Sequence, residues 1–247
     1  MVTAMDHPRR LVVVCLAALA STRGFAFDRF VRGSGKIVTE RREATGVARV
    51  DVGGAFEVEI RQGTQEGIEL SGDDNLLPLI ETRLEGAAGA RTLKIKARDD
   101  VQWSSSQPIR VRIDLVNLTA LDLGGSGRVV ATGLHAQRLD VAIGGPGRVA
   151  LAGLDAERLL VNIGGSGRLS SDGHAKALSI NIGGSGDCLL AQLAVDDVNI
   201  SIAGSGSAEV NADKKLAVSI AGSGRVRYNG AATPSASISG SGSVKRL

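Results

Sequence analysis

The sequence predicts an all-β protein: a parallel β-solenoid of about seven turns of 18–20 residues, preceded by a β-rich N-terminal part. Three observations predict it. A glycine corner, Gly-Ser-Gly in six copies and Gly-Pro-Gly in one, ends at Gly127, Gly147, Gly167, Gly186, Gly206, Gly224 and Gly242. The steps are 20, 20, 19, 20, 18 and 18 residues, and a fixed period of this size marks a repeat whose units bury their apolar faces against their neighbours. Aliphatic and small polar positions alternate around every corner, the period-two pattern of a half-buried strand, and no helical stretch separates one corner from the next.

Residues 1–26 are expected to be a signal peptide and stand outside the fold. Arg9 and Arg10 precede the apolar run 11–20, and small residues close the segment at Gly24-Phe25-Ala26. A basic start, an apolar stretch of about 7–15 residues and a small-x-small end describe a secretory leader. The run is shorter than the about 20 residues that span a bilayer, and no later stretch is long enough. Val14 is bulky where a lipoprotein signal takes a small residue, so Cys15 is not read as a lipid site. Cleavage is placed after Ala26, with Ala20 the other option. The expected product is soluble and exported, to the periplasm or the cell exterior, with no transmembrane segment.

Charge excludes more than it suggests. Without Arg9, Arg10, Arg23 and Asp6 of the leader, 29 basic and 26 acidic residues become 26 and 25. A near-neutral chain implies no nucleic-acid partner. Cys188 is the one cysteine left, so an oxidising compartment brings no intramolecular disulfide. Aromatic residues are 2% of the chain, which excludes the ring platforms that often grip flat ligands or sugars. Val, Leu, Ile and Ala must build the core.

The elements divide at residue 117. Residues 27–117 form the irregular N-terminal region, where apolar and polar residues alternate over 47–52, 56–61, 68–71, 93–97 and 109–115. In 73–84, Pro78 and the alternation Ile80, Thr82, Leu84 favour a turn entering a strand over a helix. Residues 102–108 read as a loop, and Gly33-Ser34-Gly35 echoes the later corner as a displaced turn. Residues 118–247 are the repeats. Four residues before each last corner glycine stand Leu123, Ile143, Ile163, Ile182, Ile202, Ile220 and Ile238; two after it stand Val129, Val149, Leu169, Cys188, Ala208, Val226 and Val244. Six before it lies a further aliphatic column, from Leu121 to Ala236. Between the first and third of these runs Asp122, Ala142, Asn162, Asn181, Ser201, Ser219 and Ser237, so one side of each strand is buried and the other wet.

An antiparallel meander with the corner as hairpin turn is the competing architecture. Its membrane-barrel form needs strands of about 9–11 residues and aromatic girdles, which this sequence lacks. Columns this uniform, with no alternation from unit to unit, favour the solenoid, in which like residues stack about 4.8 Å apart and seven turns make a rod of about 34 Å. Glycine suits its corners by permitting positive φ and by letting adjacent backbones approach.

Several segments also carry a family resemblance: Gly33-Ser34-Gly35-Lys36, FEVEIRQG at 56–63, GDDNLLPLIET at 72–82, the tandem corners, VRYNGAATP at 226–234, and the last corner at 240–242. In order and spacing these resemble the bacterial auto-transporter adhesin head family, the head GIN domain. The resemblance runs through nearly the whole mature chain. It implies a right-handed β-helix-like fold exported to the cell envelope, with no catalytic residues to carry over. Members often bear Asp after the corner; here Arg128, Arg148, Arg168 and Arg225 stand there, and Asp187 alone keeps the acid.

Other motifs fail on their chemistry. Phosphate loops and dinucleotide fingerprints need one glycine-rich turn between a strand and a helix, not seven corners without helices. A nucleophile elbow needs glycine two residues beyond its serine, where Ser126, Ser166 and Ser185 have Arg128, Arg168 and Asp187. A calcium β-roll repeats every nine residues, half the period here. The arginine column is the one candidate binding set. Guanidinium groups about 4.8 Å apart suit phosphates or carboxylates of an envelope polysaccharide; the ordinary alternative is a solvated corner that keeps a stackable rod from aggregating.

Asp122, Asp140, Asp155, Asp172, Asp196 and Glu209 fall in different columns, so the repeat supplies no carboxylate pair for glycan cleavage. His135 and His174 are read as exposed loop residues with no recurring metal co-ligand, and Cys188 as a buried thiol. Nothing points to a cofactor. The expected function is a non-enzymatic adhesin or surface-binding module of the envelope, facing polysaccharide or another protein. The alternatives are a glycan-active β-helix enzyme and a scaffold self-associating through its C-terminal edge.

Overall fold

The computed structural model describes residues 29–247, so the expected leader over 1–26 lies outside it. Strands β1 (Arg29–Arg32), β2 (Ile37–Arg42), β3 (Val47–Gly53), β4 (Glu57–Gln62) and β5 (Gly67–Asp73) come first. After a 3-10 turn at Leu77–Leu79 follow β6 (Ile80–Glu85), β7 (Arg91–Ala97), β8 (Val101–Ser104) and β9 (Arg110–Leu115). The repeats contribute β10 (Ala120–Leu123), β11 (Arg128–Thr132), β12 (His135–Ile143), β13 (Arg148–Ile163), β14 (Arg168–Ile182) and β15 (Asp187–Gly204). The chain closes with β16 (Ser207–Gly222), β17 (Arg225–Asn229), β18 (Pro234–Gly240) and β19 (Ser243–Arg246).

From β10 onward every pairing is parallel and in the register of the sequence columns. Val141 lies beside Val161, Ile180, Ile200, Val218 and Ala236 on successive turns. The protein is thus an all-β solenoid, and its seven stacked corners enclose six full turns rather than seven. The inward columns are at most 4% exposed from Leu121 to Val218, from Leu123 to Ile220 and from Val129 to Val226. Burying each Val, Leu or Ile contributes about 1.5–3 kcal/mol, so the rod is held by a continuous aliphatic column rather than by any single contact.

Close approach is what makes the last corner glycine obligatory. A Cβ on Gly186 would stand 2.5 Å from Ile163 Cγ2 and 2.9 Å from the Gly167 carbonyl oxygen of the turn below. The same collision with the preceding isoleucine recurs at Gly167, Gly206, Gly224 and Gly242. Positive φ, expected as a second reason, applies instead to the first glycine of the later corners, as at Gly222 with φ 126°. Each turn is tied to the next beside this point: Arg168 N–H donates to Gly147 O at 3.0 Å and Asp187 N–H to Gly167 O at 3.0 Å.

Differences in repeat length are absorbed away from the corner. Register shifts fall between Leu151 and Leu154, between Ser170 and Asp172, between Leu190 and Ala194, and between Val195 and Asp197.

The stack continues across residue 117. Val50 lies beside Leu121, Val52 beside Leu123, and Val58 beside Val129, so β3 and β4 form a layer under β10 and β11. Beneath them lie β7 and β9, also parallel. An antiparallel group then closes this end, with β5 against β9, β2 against β5 and β6 against β7. Gly33-Ser34-Gly35 serves here as a latch, not as a solenoid corner. The Asp73 carboxylate, 1% exposed, accepts the Gly35 N–H at 2.6 Å and the Ser105 hydroxyl. A side chain at Gly33 would collide with that carboxylate. The loop expected over 102–108 is shorter than predicted, because Val101–Ser104 is β8, pairing in parallel with β1.

Overpacking a well-filled contact costs about 1–3 kcal/mol. Gly186→Ala is expected to lower stability by that amount in urea titrations, whereas Gly164→Ala, with nothing within 4 Å of the new Cβ, should change it by less than about 0.5 kcal/mol. Equal effects at both sites would remove the close-approach account.

Candidate functional site

The first outward residue after each corner forms one row across the turns. In register it reads Arg110, Glu57, Arg128, Arg148, Arg168, Asp187, Ser207, Arg225 and Ser243. The structure thus brings Arg128, Arg148 and Arg168 side by side and sets Arg225 apart, beyond the interruption at Asp187 and Ser207. Strand spacing puts neighbouring members about 4.8 Å apart.

Their partners differ, which the sequence does not reveal. Arg168 donates to Asp187 at 2.7 Å, and Asp187 also accepts the Ser207 hydroxyl at 2.6 Å. Arg110 reaches Glu57 at 3.2 Å. Arg128, Arg148 and Arg225 make no ion pair or side-chain hydrogen bond among the described residues. Beside the row runs a second outward line, Val130, Ala150, Ser170 and Leu189, in the same register. Glu59 and Glu209 continue the line at its two ends, and between them nothing longer than leucine stands on this strip, so Arg128 and Arg148 border a flat, weakly polar surface. A hollow of about 320 Å³ opens between them and Phe56, Pro108 and Pro146. A larger one, about 670 Å³, lies on the other side of Arg128 and is lined by Arg110, Arg112, Glu57, Glu59 and Glu69.

These glutamates face arginines. Glu59 accepts Arg61 Nε–H at 2.8 Å and lies 3.6 Å from Arg112, which also reaches Glu69 at 3.7 Å. The hydrogen bond from Arg61 holds the Glu59 carboxyl below its usual range against an opposing desolvation. An acid catalyst must hold a proton near neutrality, and Glu59 does not.

Two arrangements escaped the corner-based alignment. His135, Asp155 and His174 stack as register partners within strands, not loops, because a bulge compensates the one-residue difference between their repeats. Both imidazoles face the carboxylate, His135 Nδ1 at 3.4 Å and His174 Nδ1 at 3.9 Å, on the wall of a cleft of about 910 Å³. No group of three His, Cys, Asp or Glu side chains among the described residues is placed to hold a metal ion. Asp122 stacks on Asp51, a partner outside the repeat and therefore invisible to its columns. Desolvation pushes the Asp122 carboxyl above its usual range, opposed by Arg49 at 3.9 Å. Asn181 Nδ2 donates to Asn162 Oδ1 at 3.0 Å, a contact between like residues of adjacent turns, and Cys188 is buried, as its column predicts.

The family assignment follows from this register and its reach. The family model described as "Putative auto-transporter adhesin, head GIN domain" matches residues 48–232, from β3 of the N-terminal stack to the last turns. This chain belongs to that family. Solved structures share this fold. A "putative adhesin" from Bacteroides fragilis is 23% identical with a TM-score of 0.82, covering 88% of this chain and 100% of that one. A "putative lipid binding protein" from Parabacteroides distasonis is 22% identical with a TM-score of 0.71, covering 89% and 100%. A "putative adhesin" from Parabacteroides merdae is 20% identical with a TM-score of 0.69, covering 89% and 99%. At such identities the likeness establishes the shared fold. Comparison with curated protein sequences gives no match.

Two measurements probe the electrostatics of this head GIN domain. The Ser207 and Arg168 hydrogen bonds hold the Asp187 carboxyl below its ordinary 3.8, so its contribution is present above that pH and is lost as pH falls through the lower folded value. Asp187→Asn should therefore cost about 0.5–1 kcal/mol at pH 7 and progressively less as pH falls below 3.8; a cost that does not shrink with acid assigns the effect to packing. Burial pushes the Cys188 thiol up to about 12. In the native protein at pH 8, peptide mapping after iodoacetamide should find Cys188 unmodified and modified only after denaturation; labelling in the folded state would contradict its inert, structural role.

Proposed function

We propose that this head GIN domain is a non-enzymatic, exported envelope protein, an adhesin or surface-binding module whose arginine-edged face holds an anionic polymer. The observation that carries this reading is the Arg128–Arg148 pair: two guanidinium groups without a protein partner, one strand spacing apart, bordering a flat strip. Guanidinium presents its donors in a fixed fork suited to carboxylate and phosphate. A polysaccharide carrying an acid on successive sugars meets both groups while its rings lie over Val130 and Ala150. The family description and the adhesin names of solved relatives support this direction. Export rests on the leader pattern of residues 1–26, and no helix among the described residues is long and apolar enough to cross a membrane.

A glycan-cleaving enzyme is the second reading, and one observation favours it. Asp51 and Asp122 are register partners on adjacent strands, the kind of carboxylate pair that glycan cleavage uses, and desolvation raises the Asp122 carboxyl above its usual range. Against it, the pair lies half-exposed on the strand before the corner, whereas the unpaired arginines follow the corner.

Polygalacturonate binding in low salt separates the readings. The protein is expected to bind this polymer and not a neutral glucan. Arg128→Ala combined with Arg148→Ala should weaken binding at least about tenfold, a change of about 1.4 kcal/mol, and Arg225→Ala much less. No binding to acidic polymers, or full binding by the double variant, removes the arginine reading. Release of reducing ends that Asp122→Asn abolishes would put the enzyme first.

A further inference from the structure

The two ends of the solenoid are unlike. At the N-terminal end, antiparallel strands cover the stack and bring charge with them, Glu40, Arg41 and Arg42 on β2 and Glu81, Arg83 and Glu85 on β6. At the other end β18 pairs only with β16, and β19 only with β17. The outer main-chain donors and acceptors of Pro234–Gly240 and Ser243–Arg246 therefore meet no strand among the described residues. The core floor is open at the same place: in the isoleucine column exposure jumps from 1% at Ile220 to 42% at Ile238, and Leu247 is 48% exposed.

Proteins normally blunt such an edge with charge, proline or a bulge. Pro234 opens β18 and Lys245 and Arg246 close β19, but the stretch between them, Ser-Ala-Ser-Ile-Ser-Gly-Ser-Gly-Ser-Val over 235–244, has no charge and no proline, and β18 pairs with β16 without a register shift. Arg246, close to the edge, is turned back, its Nη2 donating to Gly230 O at 2.9 Å.

We propose that this edge is a self-complementary interface through which two copies of the chain join end to end. The occupant follows from symmetry. A two-fold axis through the corner at Gly240-Ser241-Gly242, perpendicular to the rod, lays β18 of one copy antiparallel to β19 of its partner and repeats the pairing on the adjoining side. Both open strands are then satisfied at once, and Ile238 of each copy closes the core floor of the other. Because the opposite end is capped, the assembly stops at two and does not grow into a filament. This inference is independent of anion binding, since the arginine pair lies on turns away from the edge.

Sedimentation velocity of the purified chain from 1 to 100 µM, without any polyanion, tests it. A species of twice the chain mass is expected to dominate at the upper concentrations. Ile238→Lys should weaken association at least tenfold while circular dichroism and the thermal midpoint stay close to wild type, since the position is already half-exposed. Ser237→Lys, outward on the same strand, is the second variant should Ile238→Lys fold poorly, and is expected to act in the same direction. In hydrogen exchange, amides of residues 235–246 should gain protection as concentration rises. A single chain mass throughout, or a dimer that both folded variants leave unchanged, overturns the proposal.

Discussion

The rest of this structure depends on one steric constraint, repeated at every turn. The last glycine of each corner rides directly over the turn below, over an isoleucine from Gly167 onward, over Leu123 at Gly147 and over the Gly54–Phe56 backbone at Gly127, with no room for even a methyl group. That contact allows the corner carbonyl to receive the next turn's N–H at about 2.9–3.0 Å, and so it sets the register of the strands on both sides. Once register is set, inward columns coincide and fuse into a single aliphatic core. Outward columns coincide as well, so a surface residue repeated in sequence becomes a row in space.

Rows behave differently from isolated surface residues. Arg128, Arg148 and Arg168 come from units 20 residues apart, yet the stack places them as neighbours. Like charges in a row cost free energy unless something opposite meets them. The chain meets one of them internally, through Asp187 and Ser207. Elsewhere it alternates signs between turns, as in Lys176 with Glu157 at 2.6 Å and Lys214 with Asp196 at 2.8 Å. Glu57 stands beside Arg128 but pairs with Arg110 instead, and neither Arg128 nor Arg148 makes an ion pair among the described residues, which gives an external anion something to gain there. A rigid solenoid holds the two groups in place before a ligand arrives, so little ordering is required on binding.

The solenoid and its columns were legible because the period survives substitution: each position in a turn has one environment, repeated. The N-terminal strands were legible one at a time from alternation, over 47–52, 56–61 and 109–115, but not their arrangement. Chain order there is β3–β4 before β7–β9, whereas the stack places β3 and β4 between the repeats and the later β7 and β9. No local pattern records which strand edge a later segment will choose. For the same reason β8 was read as loop: its partner β1 lies some 70 residues away and makes a sheet of its own.

By itself the sequence determined the fold class, the aliphatic core and the alignment of the arginine column, since all three follow from the spacing of residue types along the chain. Tertiary structure decided which arginines are free, that Asp122 stands over Asp51, and that His135, Asp155 and His174 share a row. It also decided that one end of the rod is covered and the other open. These outcomes hinge on partners from outside the repeat, or on bulges that slip the count by one or more residues. A period specifies where like residues meet, while meetings between unlike segments are settled only when the whole chain has packed.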